Sequence, residues 1–165
     1  MNKSFAAFAS ALLLAACASP FGGGSVAPGT PEGEVLARMG PPTRMVPLAG
    51  GARRLQYSLQ PGGQYAWMVD LDAAGRVTSA RQVLNERDFQ RIVPDQWTRA
   101  DVEREFGPPA RVDGVASWNG PVMTYRWKDL QGADMFYWVY LDAQGVVRRA
   151  HPGMEFRDRM FDRRF

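Results

Sequence analysis

The sequence predicts an α+β fold of two tandem units, each with short helix(es) packed on one face of a three- to four-stranded antiparallel sheet. Three observations carry that prediction. First, the 165-residue chain writes one phrase twice: Gly40-Pro41-Pro42, then Leu55-Gln56-Tyr57, then Leu71-Asp72-Ala73-Ala74-Gly75-Arg76-Val77 returns as Gly107-Pro108-Pro109, Thr124-Tyr125-Arg126-Trp127 and Leu141-Asp142-Ala143-Gln144-Gly145-Val146-Val147. A repeat of this length means that each copy is one supersecondary unit. Second, a helix-period stretch with a start and a stop signal opens each copy. Third, alternating strand patterns follow, closed by Asp-Ala-X-Gly turns.

In the first copy Thr30 reads as an N-cap with Pro31 at the first helical position. Glu32 and Glu34 suit the positive end of the helix dipole. Val35, Leu36 and Met39 fall on one face, and Gly40-Pro41-Pro42 forbids continuation. In the second copy Thr98-Arg99-Ala100-Asp101 reads as a capping box, Val102 and Phe106 form the stripe, and Gly107-Pro108-Pro109 ends it. Helices this short are unstable alone and must pack on something. The strands supply it: Leu55–Leu59 and Met123–Trp127 alternate, Tyr65–Leu71 and Met135–Leu141 follow, and further strands begin near Val77 and Val146. Weaker early strands are expected at Arg44-Met45-Val46 and Arg111-Val112. Asn85 to Val93 reads as a linking helix ahead of the second copy.

The amino terminus reads as an address rather than as structure. Lys3 precedes an apolar run from Phe5 to Ala16, too short to span a bilayer, in the layout of a secretory signal peptide. Leu14-Ala15-Ala16-Cys17 resembles the bacterial lipobox, and the resemblance implies cleavage before Cys17 and lipid attachment (palmitate among the acyl groups) there. The alternative is an ordinary cleaved signal with an incidental cysteine. Residues 1–16 are therefore read as signal peptide and 17–28 as a Gly/Pro/Ser-rich tether. The first unit spans 29–84, the second with its leading helix 85–152, and an Arg-rich segment 153–165.

Composition excludes several chemistries. With Cys17 and His151 each the single residue of its kind, intramolecular disulfides, Cys/His zinc sites and Cys–His nucleophilic pairs are impossible. Asp70-Leu71-Asp72 mimics the start of a calcium loop, but Ala74 and Arg81 stand where its fifth and twelfth ligands belong. No phosphate-binding loop is present. We therefore expect no enzyme, no cofactor, no metal, no small-molecule substrate and no nucleic-acid partner.

Two surfaces stand out. Tyr65, Trp67, Val69 and Leu71 match Met135, Tyr137, Val139 and Leu141, and this face is expected to lie under the helices. The opposite face carries Ala66, Met68 and Asp70 in the first unit, and Phe136, Trp138 and Tyr140 in the second. A sheet covered on one side leaves the other to solvent, and exposed aromatics in a row mark an interaction site. Phe136, Trp138 and Tyr140, with Arg126 on the neighbouring strand, are the candidate partner-binding residues; the alternative is that the linking helix or the C-terminal segment covers the rings. The end of the chain from Arg148 holds six arginines against three acidic residues. Arg157, Arg159, Arg163 and Arg164 are candidates for contact with anionic lipid, against the alternative of a solvated end with internal ion pairs.

The helix stopped by Gly-x-Pro, the tyrosine strand and the Leu-Asp-x-x-Gly-x-Val turn resemble the SmpA/OmlA family of outer-membrane lipoproteins, which includes BamE. The tandem form is similar to the fold of the β-lactamase inhibitory protein. The first resemblance implies a lipid-anchored protein on the periplasmic face of the outer membrane. Such a protein would support outer-membrane protein assembly or envelope integrity by protein–protein contact, possible partners including the barrel-assembly machinery. The second allows a periplasmic binder or inhibitor of one enzyme.

Overall fold

Gly40 and Gly107 end two helices of equal length at φ 75° and 78°, values an L side chain rarely adopts. The computed structural model describes residues 26–156. The signal peptide, Cys17, most of the tether and Arg157, Arg159, Arg163 and Arg164 lie outside the described residues. The elements run α1 (Glu32–Met39), β1 (Arg44–Pro47), a 3-10 turn (Ala49–Gly51), β2 (Arg53–Ser58), β3 (Ala66–Leu71), β4 (Val77–Gln82), α2 (Glu86–Phe89), α3 (Arg99–Phe106), β5 (Arg111–Gly114), β6 (Pro121–Lys128), β7 (Asp134–Leu141) and β8 (Val147–Met154). Each group of four strands forms one antiparallel meander, in the orders β1-β2-β3-β4 and β5-β6-β7-β8. The chain is thus an α+β protein of two four-stranded units.

The repeat persists in detail. Each sheet carries a register shift at the same place, Asp70/Leu71 and Tyr140/Leu141. The β3–β4 and β7–β8 turns are built alike: Asp72 accepts from the Arg76 N–H at 2.8 Å and Asp142 from the Val146 N–H at 2.9 Å, with Gly75 and Gly145 at positive φ. Each turn also holds the start of its own helix, since Gly75 O accepts from the Glu32 N–H and Gly145 O from the Arg99 N–H. At the other end, the Tyr57 hydroxyl donates to Gly40 O at 3.1 Å and Tyr125 to Gly107 O at 2.8 Å. The repeated tyrosine is therefore a clasp on a helix terminus that would otherwise leave a carbonyl unpaired.

Some boundaries differ from expectation. The capping box at Thr98 and Asp101 forms, but α1 starts after Pro31 with no side-chain cap. The bridges Pro31–Arg76 and Thr98–Val146 make Pro31, not Thr30, the counterpart of Thr98. The linking helix shrinks to the four residues of α2, capped by Asn85. Pro94 disfavours helix at Val93, and Asp95 turns the chain at φ 64°. Val26, assigned to the tether, is buried in the core of the first unit, and β8 runs on to Met154.

The two units are stacked in series. One core joins α1, through Val35 and Met39, to Leu55, Tyr57, Val69, Leu71 and Val77 of the first sheet. A second, larger core joins Ala66 and Met68, on the reverse of that sheet, to Phe89, Val102 and Phe106 of α2 and α3, and these to Met123, Tyr125, Tyr137, Val139 and Leu141 of the second sheet. The layers run α1, sheet one, α2 with α3, sheet two. Phe89 organises the middle: its ring stacks on Tyr137 at 4.1 Å and on Phe106 at 4.9 Å. Each of these buried rings contributes roughly 1.5–3 kcal/mol, which is what holds an eight-residue helix folded.

The expectation that both sheets leave their reverse faces to solvent therefore fails for the first. Ala66 and Met68 are fully buried there. The Gln56 amide donates to Glu103 O and Arg104 O of α3, and Arg54 bonds Asp70, Arg104 O and Glu105. A helix from the second unit covers this face because its last carbonyls meet polar side chains placed to receive them.

Candidate protein-binding face

On the second sheet, β7 projects Phe136, Trp138 and Tyr140 to the side away from α3, and all three are half-buried. Cross-strand pairing sets their neighbours: Trp138 lies opposite Thr124 and His151, Phe136 opposite Arg126 and Gly153, Tyr140 opposite Val122 and Arg149. The Trp138 ring lies over Gly153, where a Cβ would fall inside the ring's van der Waals surface. That glycine lets the indole lie flat on the sheet.

The rings form a continuous surface. Centroids are 5.7 Å apart for Phe136 and Trp138, 5.3 Å for Trp138 and His151, and 5.4 Å for His151 and Tyr140. Trp118, from the β5–β6 loop, meets Tyr140 edge-on at 5.5 Å and donates its indole N–H to Leu141 O. Two arginines lie on the rings, Arg111 over Phe136 at 5.7 Å and Arg149 over Tyr140 at 4.9 Å. Arg149 Nη2 lies 2.9 Å from His151 Nε2, and His151 Nδ1 lies 3.2 Å from Pro152 O. A guanidinium can only donate, so Nε2 is the accepting atom in the contact with Arg149. Arg111 and Asp113, with Thr124, Trp138 and Tyr140, line a groove of about 290 Å³.

Arg126 is placed otherwise than the sequence suggested. Its guanidinium pairs with Glu155 at 2.7–3.0 Å and donates to Pro61 O and Gly62 O. Its backbone N–H and C=O are bracketed by the Gln60 amide at 3.1 and 2.7 Å. β5 pairs only as far as Thr124, so Gln60 supplies the ladder bonds where that strand has ended. Arg126 is a clamp between the units, with its head turned to the molecule's own loop.

Among the described residues, Tyr140 meets Trp118 edge-on, stacks on His151 and carries Arg149 over its ring, and Trp138 lies against Gly153. Sequence reasoning missed Arg111, Trp118, Arg149, His151 and Gly153. The register could have found three of them, since β8 residues opposite Phe136, Trp138 and Tyr140 share their side. Trp118 sits in a loop and gave no periodic signal. Elsewhere, a groove of about 430 Å³ lies between α2 and the β6–β7 hairpin, lined by Asn85, Gln90, Trp127 and Leu130 among others. Among the described residues no cluster of three or more His, Cys, Asp or Glu could hold a metal ion, and no helix is long and apolar enough to cross a membrane.

No family model matches the chain, and no curated protein matches it. Among solved structures, similarity is found to a DUF4309 family protein (YjgB) from Bacillus subtilis, at 18% identity over 76% of this chain and 79% of that one, TM-score 0.29. An extracellular protein containing an SCP domain from Bacillus anthracis is similar at 15% identity over 77% of this chain, TM-score 0.29, and the match spans 43% of that protein's length. Overlap this loose carries no argument about fold or function.

Proposed function

We propose that the chain is a lipid-anchored, periplasm-facing interaction module of the SmpA/OmlA kind, held to the outer membrane through Cys17. In this reading it supports outer-membrane protein assembly or envelope integrity through protein–protein contact and performs no catalysis. The observation that carries the reading is an asymmetry between equivalent faces. The reverse of sheet one is closed by α3, whereas the reverse of sheet two presents Phe136, Trp138 and Tyr140 half-exposed, with Arg111 and Arg149 exposed beside them. Aromatic rings ringed by arginine are the composition of interface hot spots. The resemblance in the repeated motifs and the Cys17 context support the location.

The test is affinity purification of the full-length chain from membranes, beside Trp138→Ala. Recovery of barrel-assembly components that Trp138→Ala loses supports the proposal. Recovery of one soluble enzyme instead would favour the inhibitor reading. Partners identical for both chains would overturn the assignment of this face. Cys17→Ala should move the protein from the membrane to the soluble fraction, and retention at the membrane would overturn the anchor.

A further inference from the structure

We infer that the open face of the second sheet receives an α-helix of a partner protein, seated as α3 is seated on the first sheet, and that this helix carries acidic residues toward Arg149. The inference rests on the reading that this face binds protein, and it specifies the partner's chemistry.

The molecule contains its own template. The shared bulge and the two tyrosine clasps fix which positions correspond: Ala66, Met68 and Asp70 answer to Phe136, Trp138 and Tyr140. Ser79 and Arg81 answer to Arg149 and His151, and Arg44, paired with Gln56, answers to Arg111, paired with Thr124. On the first sheet that surface holds the last turn of α3. Met68 touches the space beside Gly107, while the flanking arginines reach the helix's acids, Arg44 to Glu103 at 3.0 Å and Arg81 to Glu105 at 3.5 Å. The second sheet keeps the apolar centre, with larger rings, and a basic edge at Arg149, while at the other edge Arg111 is paired with Asp113 at 2.8 Å.

The plan also argues against self-occupancy. In a second copy, α1 would be the helix to dock. By the spacing that relates Gly40 to Gly107, α1 carries Leu36 and Arg38 where α3 carries Glu103 and Glu105. Arg38 would then approach the Arg149 side of the face with like charge. The segment after β8 is arginine-rich and meets the same objection. An acidic foreign helix does not.

One difference sets the character of the contact. Arg54 and Gln56 cap the carbonyls of α3, but Val122 and Thr124 occupy their places on the second sheet. No guanidinium or amide caps a helix end there, so the incoming helix can cross the sheet, and its binding depends on the rings and on Arg149.

The experiment is site-directed photocrosslinking of the full-length chain in membranes, with Phe136→p-benzoylphenylalanine, followed by mapping of the crosslinked peptide. That peptide is then synthesised and titrated against the protein. The expected result is a segment of another protein with acidic residues on one flank, gaining helical circular dichroism on binding. Trp138→Ala and the exposed Arg149→Glu should each weaken it on the order of tenfold. A peptide with that flank changed to arginine should bind Arg149→Glu better than the parent protein. A segment that binds without helix formation overturns the helix while leaving a protein partner in place. Crosslinks confined to a second copy, to residues 157–165 of the same chain, or to glycan or lipid overturn both.

Discussion

Replacing Arg54 with alanine should destabilise the protein by about 3 kcal/mol, the lower end of what is seen when one member of a buried ion pair is removed. Arg54 is 5% exposed and lies where the first sheet meets α3. It holds Asp70 at 2.6 and 2.9 Å, Arg104 O at 3.0 Å and Glu105 at 3.1 Å. Alanine would leave two carboxylates and a carbonyl facing a low-dielectric gap. Partial relief exists: Glu105 keeps Arg81 and Arg91, and Asp70 keeps the Ser79 hydroxyl at 3.3 Å. That is why the lower end is expected. Equilibrium urea unfolding followed by tryptophan fluorescence and circular dichroism measures the change. For a domain of this size the melting temperature should fall by roughly 10 °C. A surface pair contributes about 0–1 kcal/mol. A cost within that range would mean Arg54 is solvated, and the serial stacking of sheet one on α3 would be refuted.

Three further outcomes are expected. Tyr125→Phe should cost about 1 kcal/mol by removing the bond to Gly107 O. Burial pushes the Tyr125 hydroxyl well above its ordinary value, so native stability is full below the unfolded value near 10 and declines as pH rises beyond it. The phenylalanine variant should show a shallower alkaline limb in unfolding against pH, and an unchanged limb would contradict the burial. Thr98→Ala should cost about 1 kcal/mol through loss of the capping box. The Thr98 hydroxyl and backbone N–H hold the Asp101 carboxyl below its usual range. Its contribution is thus present above the unfolded value and lost as pH falls through the folded one. Thr98→Ala should reduce that acid-side loss, which melts between pH 2 and 5 would measure, within a range set by the ordinary carboxylate value. Arg126→Ala should lower stability by about 3 kcal/mol, as Glu155 loses its ion-pair partner, yet leave the partners recovered from membranes unchanged; their loss would return Arg126 to the binding face.

The candidate site was partly legible. Phe136, Trp138 and Tyr140 share a side because strand side chains alternate, and that much needs no coordinates. Arg126 obeys the same alternation, but its long side chain reaches a loop 64 residues earlier and a carboxylate 29 residues later. No local pattern records such a reach. Asn85 to Val93 misled for the opposite reason: Phe89 and Ile92 are buried as their spacing suggests, but the backbone between Asn85 and Trp97 is set by Pro94 and by the turn at Asp95.

The sequence by itself determined the repeated unit, its short helix with a glycine stop, its meander and its turns, because each depends on signals within a few residues of one another. The tertiary structure alone decided how the units meet. Which sheet face is closed depends on Gln56 finding carbonyls 47 and 48 residues away, and on Arg54 finding Glu105. The first sheet presents small and polar groups that a helix end can fill. The second presents rings too large and too apolar to be satisfied by the sheet beneath them.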